Sequence, residues 1–137
     1  MVTVQRGLAS FSVKDVGEAR SFYEDVLGLQ TKVVQDEMLI LHLPGGGAIF
    51  VYPKGDDHTP ASFTVFHLLV DDVDAVVDEL GSRGVTPIRY EAFDHDERGV
   101  VRGFMEGGDG VWYADPSGNV IGFADGEGAR LFDELVG

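Results

Sequence analysis

Apolar positions along the chain change period twice. From Phe11 to Val13 they alternate with polar ones, as in a half-buried strand. From Val16 the spacing becomes helical, with Val16, Ala19, Phe22, Tyr23, Val26 and Leu27 on one face. Asp15 stands ahead of this run with Glu18 three positions later, an N-cap signature, and Gly28 follows as a stop. Alternation then returns, predicting strands over Gln30–Gln35, Met38–Leu43 and Ala48–Tyr52, with Pro44-Gly-Gly-Gly47 as the turn between the last two.

The same order recurs. Val13, Asp15 and Val16 correspond to Val70, Asp72 and Val73, each 57 positions on. A constant offset signals a duplicated supersecondary unit. In the second copy Asp72 is the cap, Val73, Val76, Val77 and Leu80 form the stripe, and Gly84 closes it. Strands are predicted over Thr86–Tyr90, Val111–Ala114 and Val120–Ala124, with residues 92–109 as a Gly-rich, charged connection. The fold class is therefore α+β, two β-α-β-β-β units. The expected organisation is a single domain over 1–137, with units at 7–53 and 65–125, a linker at 54–64 and a short tail helix at 126–137. Asp74, Asp78, Glu79 and Glu24 read as solvated helix faces.

Composition narrows the chemistry. Of 137 residues, 44% are hydrophobic, enough for a core, and none is cysteine, which removes thiolate metal sites and cysteine nucleophiles. With 24 acidic against 10 basic residues the net charge is −14, which repels nucleic acid and anionic membrane surfaces. No apolar run approaches the ~18 residues needed to span a bilayer. The N-terminus carries no apolar signal core, so a soluble, cytoplasmic protein is expected.

Two motifs carry a resemblance. Phe22-Tyr23 through Val26-Leu27-Gly28-Leu29, and Asp115-Pro116-Ser117-Gly118-Asn119, resemble the vicinal oxygen chelate superfamily, which includes glyoxalase I, extradiol dioxygenases and bleomycin-resistance proteins. The resemblance implies half-barrel sheets around a cavity between them, a homodimer, and, in metal-dependent members, four ligands. Carried over singly, those positions fall on Leu8, Val51, Val65 and Gly122. None offers a lone pair to a cation, so no metal and no cofactor is expected.

What remains is an apolar floor with a few polar points. Ser10 and Ser12 share a face with Leu8, and His67 shares one with Val65. Tyr52, Tyr90, Phe93, Phe104, Trp112 and Tyr113 are the aromatics available as walls. This is the chemistry of a small-molecule site, so the expected ligand-binding residues are Leu8, Ser10, Ser12, Val51, Val65, His67, Trp112 and Gly122. No catalytic residue is assigned; His67 is the one candidate. A metal-free small-molecule-binding protein leads, and a lyase, isomerase or dioxygenase with a non-standard site around His67 is the alternative. A third possibility is an association module using the tail. His42 is expected at the surface, His58 solvated in the linker, and residues 94–98 as a solvated loop. That loop falls short of a calcium motif, with Arg98 at the fifth position and Met105 at the twelfth.

Overall fold

A computed structural model describes residues 1–104 and 107–137; Met105 of the calcium-motif comparison lies outside them. The chain divides into two compact units, Met1–Pro60 and Ala61–Gly137. No helix among the described residues is long and apolar enough to cross a membrane.

In the first unit, β1 (Ala9–Val13), β2 (Gln30–Val34), β3 (Met38–His42) and β4 (Ala48–Pro53) form one sheet in the order β1-β4-β3-β2. β1 runs parallel to β4 and the other pairs are antiparallel. The crossover between β1 and β2 begins as α1 (Val16–Arg20), capped by the Asp15 carboxylate on the Glu18 N–H at 3.1 Å. It continues as a π-helical turn over Ser21–Val26 rather than a single α-helix. That widening keeps both Phe22 and Tyr23 inward, where Tyr23 meets Phe11 edge-on at 6.0 Å and Phe22 at 5.2 Å. Phe11, Val13, Leu39, Leu41, Ile49 and Val51 complete this core.

The second unit repeats the plan. Its strands are β5 (Thr64–Leu69), β6 (Val101–Phe104), β7 (Gly108–Ala114) and β8 (Val120–Ala124), ordered β5-β8-β7-β6. α2 (Val73–Ser82) is capped by Asp72, and a terminal α3 (Gly126–Val136) follows β8. One expected strand is displaced. Thr86–Tyr90 makes only a single bridge, Ile88 to Trp112, and the outer strand is Val101–Phe104, inside the stretch read as connection. The backbone explains this: Pro87 has no N–H to give a ladder, and the Tyr90 N–H is spent on His95 Nε2 at 2.9 Å.

The Asp115–Asn119 turn sets the register of β8. The buried Asp115 carboxylate accepts from the backbone N–H groups of Ser117 and Asn119, both at 2.9 Å, and from Asn119 Nδ2 at 3.2 Å. A charge taken out of water is held only where such donors surround it. Asp125 has a comparable role that the sequence pattern does not reveal. Its carboxylate accepts from Val73 N–H at the start of α2 (2.8 Å) and from Asp109 N–H on β7 (2.7 Å), tying helix to sheet.

Candidate functional site

Strand pairing in the second unit places three expected residues in one row. His67 on β5 is opposite Gly122 on β8, and Gly122 is opposite Trp112 on β7. Alternate residues share a face, so Leu69 and Ala124 extend the row's face by one step. The opposite face carries Phe66, Ile121, Phe123, Val111 and Tyr113, buried in the core together with Val73 and Leu80 of α2.

Gly122 is small because two side chains occupy the space above it. A β-carbon at that position would stand 2.7 Å from His67 Nδ1 and 3.2 Å from Trp112 Nε1. Two polar nitrogens thus converge on one point over a bare stretch of backbone. Neither ring nitrogen finds a hydrogen-bond partner among the described residues. Nor is the Trp112 N–H sealed in, since the Tyr113 hydroxyl is the fully buried side-chain polar atom without a partner there.

The indole is held by an aromatic cluster. Phe93 stacks on Trp112 at 5.5 Å, nearly parallel, while Phe104 and Tyr90 meet it edge-on at 5.2 and 5.7 Å. His95 secures the loop that supplies Phe93 and Tyr90. Its Nδ1–H donates to Gly99 O at 2.7 Å and its Nε2 accepts from Tyr90 N–H, which fixes one neutral tautomer. Residues 94–98 keep Asp94 and Glu97 exposed, but the loop is tied down: Arg89 donates to the carbonyls of Asp96 and Glu97, and the Asp96 carboxylate accepts from the N–H groups of Arg98 and Val100. Asp74 and Asp78 are not idle surface carboxylates either. Arg102 binds Asp74 through both terminal nitrogens, and Arg98 pairs with Asp78.

His67 belongs to an edge strand and stays exposed as a residue. Its ring nonetheless loses water on the side packed over Gly122 and Trp112, and this burial holds its pKa below the ordinary 6.5. The imidazole is accordingly neutral at pH 7, with one donor and one acceptor. A pocket of about 210 Å³ opens beside it, lined by His67, Leu69, Ala124, Phe132 and Val136.

The remaining expected residues separate. Val51 turns away from the polar face: it is opposite Phe11, whose ring packs on Tyr23, and it is fully buried in the helix-side core. The first-unit residue in the place of Gly122 is Phe50, opposite Ser10 as Gly122 is opposite His67. Val51 is one residue further along, and on a strand one residue reverses the face. Leu8 precedes β1 and is exposed, and Val65 lies at a ladder irregularity between Thr64 and Phe66. Ser10 is exposed, whereas Ser12 hydrogen-bonds His58 Nδ1 at 2.9 Å, so His58 is engaged by β1 rather than solvated. His42 is at the surface.

The positions at which the resemblance places metal ligands, Leu8, Val51, Val65 and Gly122, carry no side-chain donor atom, and neither does Phe50. No three His, Asp or Glu side chains converge among the described residues. The superfamily metal does not fit this donor set.

Comparison with known proteins agrees with the fold. The sequence model of the glyoxalase/bleomycin resistance protein/dioxygenase superfamily matches residues 7–123. No protein of curated function is significantly similar. Among solved structures, a glyoxalase family protein from Bacillus anthracis is 21% identical, covering 93% of this chain and all of its own, with a TM-score of 0.62. TnmS3, an antibiotic binding protein from Streptomyces sp. CB03234, is 24% identical over 90% of this chain and 98% of its own (TM-score 0.62). Lactoylglutathione lyase from Agrobacterium tumefaciens is 16% identical over 90% and 95% (TM-score 0.60). At these identities the likeness is one of fold.

Proposed function

The chain belongs to the glyoxalase/bleomycin resistance protein/dioxygenase superfamily, and from that premise we propose that it binds a small organic molecule without a metal ion, on the His67–Gly122–Trp112 face of its second sheet. The observation that carries this reading is the convergence of the His67 imidazole and the Trp112 N–H over Gly122, both without partners among the described residues. A donor-only indole beside a neutral imidazole suits a ligand oxygen, carbonyl or hydroxyl, on a flat apolar frame. The aromatic cluster supplies the matching apolar wall, and an apolar surface with few convergent polar groups is the usual composition of small-molecule sites. The likeness in fold to an antibiotic binding protein supports this reading.

Trp112 is the single tryptophan, so its fluorescence reports the site directly. Titration with a panel of neutral aromatic carbonyl compounds is expected to give saturable quenching that His67→Ala weakens. A panel that leaves Trp112 unchanged at millimolar concentration counts against the proposal. Elemental analysis of protein purified without chelator tests the metal-free part: stoichiometric zinc, nickel, manganese or iron, lost in His67→Ala, overturns it.

A second reading, a lyase or isomerase using His67 as acid–base, rests on the neutrality of that ring at pH 7. Turnover insensitive to chelator and abolished by His67→Gln distinguishes it from binding alone.

A further inference from the structure

Small residues bring the C-terminal helix close to the sheet. A β-carbon on Gly126 would stand 2.6 Å from the α-carbon of Gly108 on β7, and Gly128 and Ala129 are buried in the next turn. Arg130 faces outward, paired with Glu127 and Glu134. Docked through its first turns, α3 carries Leu131, Phe132, Leu135 and Val136 as an exposed apolar stripe. Two of these, Phe132 and Val136, stand across the pocket of about 210 Å³ from Leu69, Ala124 and His67.

Resting on the binding role proposed above, we infer that α3 is the second wall of a subsite for one uncharged aromatic ring of the ligand, with Phe132 and Val136 on one side, Leu69 and Ala124 on the other, and His67 at its polar end. The volume selects the occupant. An apolar cavity of about 150 Å³ accepts benzene, whereas whole drug-sized ligands need roughly 300 Å³ or more. The space here therefore takes a ring-sized part. The lining selects the charge state: none of its five residues is Asp, Glu, Lys or Arg, so an ion placed there would lose its hydration without a partner. The net charge of −14 further disfavours an anion. The neutral state of His67 at pH 7 supplies one hydrogen bond to a ring substituent.

The test uses the full chain and 1-naphthol, followed by NMR at the Leu69, Ala124 and Val136 methyls and at the Trp112 indole. Saturable shifts at the methyls are expected. Phe132→Ala and Val136→Ala should each weaken binding several-fold, roughly tenfold for the phenylalanine, while Leu131→Ala, outside the pocket, matches the wild type. Shifts at Trp112 that all three variants leave unaltered overturn the subsite and spare the binding role. Shifts nowhere overturn both. If Phe132→Ala instead converts a dimer to a monomer in light scattering at unchanged naphthol affinity, the stripe is a contact between copies and the inference falls.

Discussion

The imidazole of His67 lies over the α-carbon of Gly122, with Nδ1 2.7 Å from where a β-carbon would sit. This relationship accounts for a glycine in the middle of a buried strand, a position where it otherwise weakens the sheet. Gly122→Ala is expected to push the ring aside. The nearest obstruction, the His67 ring, is on an edge strand and can swing toward solvent, but the buried Trp112 indole at 3.2 Å is held by its aromatic neighbours and gives less, so a stability cost of about 1–2 kcal/mol is expected. Ligand-induced quenching of Trp112 should nonetheless weaken. Gly108→Ala makes the opposite case. There a β-carbon would stand 1.9 Å from the Asp125 carbonyl oxygen, which is backbone and cannot yield. A loss of about 3 kcal/mol or more is expected, and urea denaturation of the two variants side by side checks the contrast.

Acid should destabilise the protein in two separate windows. Burial lowers the pKa of His67 in the folded state below its ordinary 6.5. Between the two values the unfolded chain holds more protons, so stability rises with pH there and falls as pH drops below about 6.5. The second window lies lower. Arg102 lowers the pKa of Asp74 from 3.8. For Asp96, burial pushes upward but is outweighed by hydrogen bonds from Val100, Arg102 and Arg98. Their stabilisation is complete above the ordinary value and is lost as pH falls through the depressed ones. Urea midpoints across the acid range, compared between wild type and His67→Gln, should show the upper window flattened in the variant and the lower one unchanged.

Arg102 joins Asp74, Asp96 and Asp109, and so links α2 to β6, β7 and the loop before β6. Its partners raise its pKa, Asp74 foremost. The Arg102 side chain is 43% exposed, so solvent screening limits its worth despite the two-pronged contact. Arg102→Gln is expected to cost about 1 kcal/mol, less at high salt. A double-mutant cycle with Asp74→Asn measures the coupling.

His95 tests the aromatic cluster. His95→Ala leaves the Tyr90 N–H and the Gly99 carbonyl without their partners, at about 1–3 kcal/mol for groups withdrawn from water. It also loosens the loop that holds Phe93 on Trp112. A red-shifted Trp112 emission together with the lowered urea midpoint is the expected result. An unshifted spectrum would show that the stack stands without the loop's hydrogen bonds.

Much of the architecture was legible in local pattern. The 57-residue repeat, the Asp15 and Asp72 caps and the Asp115–Asn119 turn depend on contacts within a few residues, and all appear as read. The misreadings have a common physical origin. Val51 is next to Phe50, the partner of Ser10, and a strand reverses its face at each residue, so the Val51 side chain falls in the core. Thr86–Tyr90 has a strand composition, yet Pro87 and His95 divert its backbone donors. The four-residue strand Val101–Phe104 is too short and too interrupted by Arg102 and Gly103 to register as a pattern.

The sequence by itself determined the α+β class, the duplication and the superfamily, because each follows from residue type and spacing. Only the tertiary structure decided which residues meet. The register of β5, β8 and β7 brings His67 and Trp112 together over Gly122 from positions 45 residues apart. The close approach of α3 to β7 brings Phe132 into the pocket beside His67. Hydrogen-bond register and backbone packing carry no local signal, so the glycine's purpose became visible once its neighbours across the sheet were known.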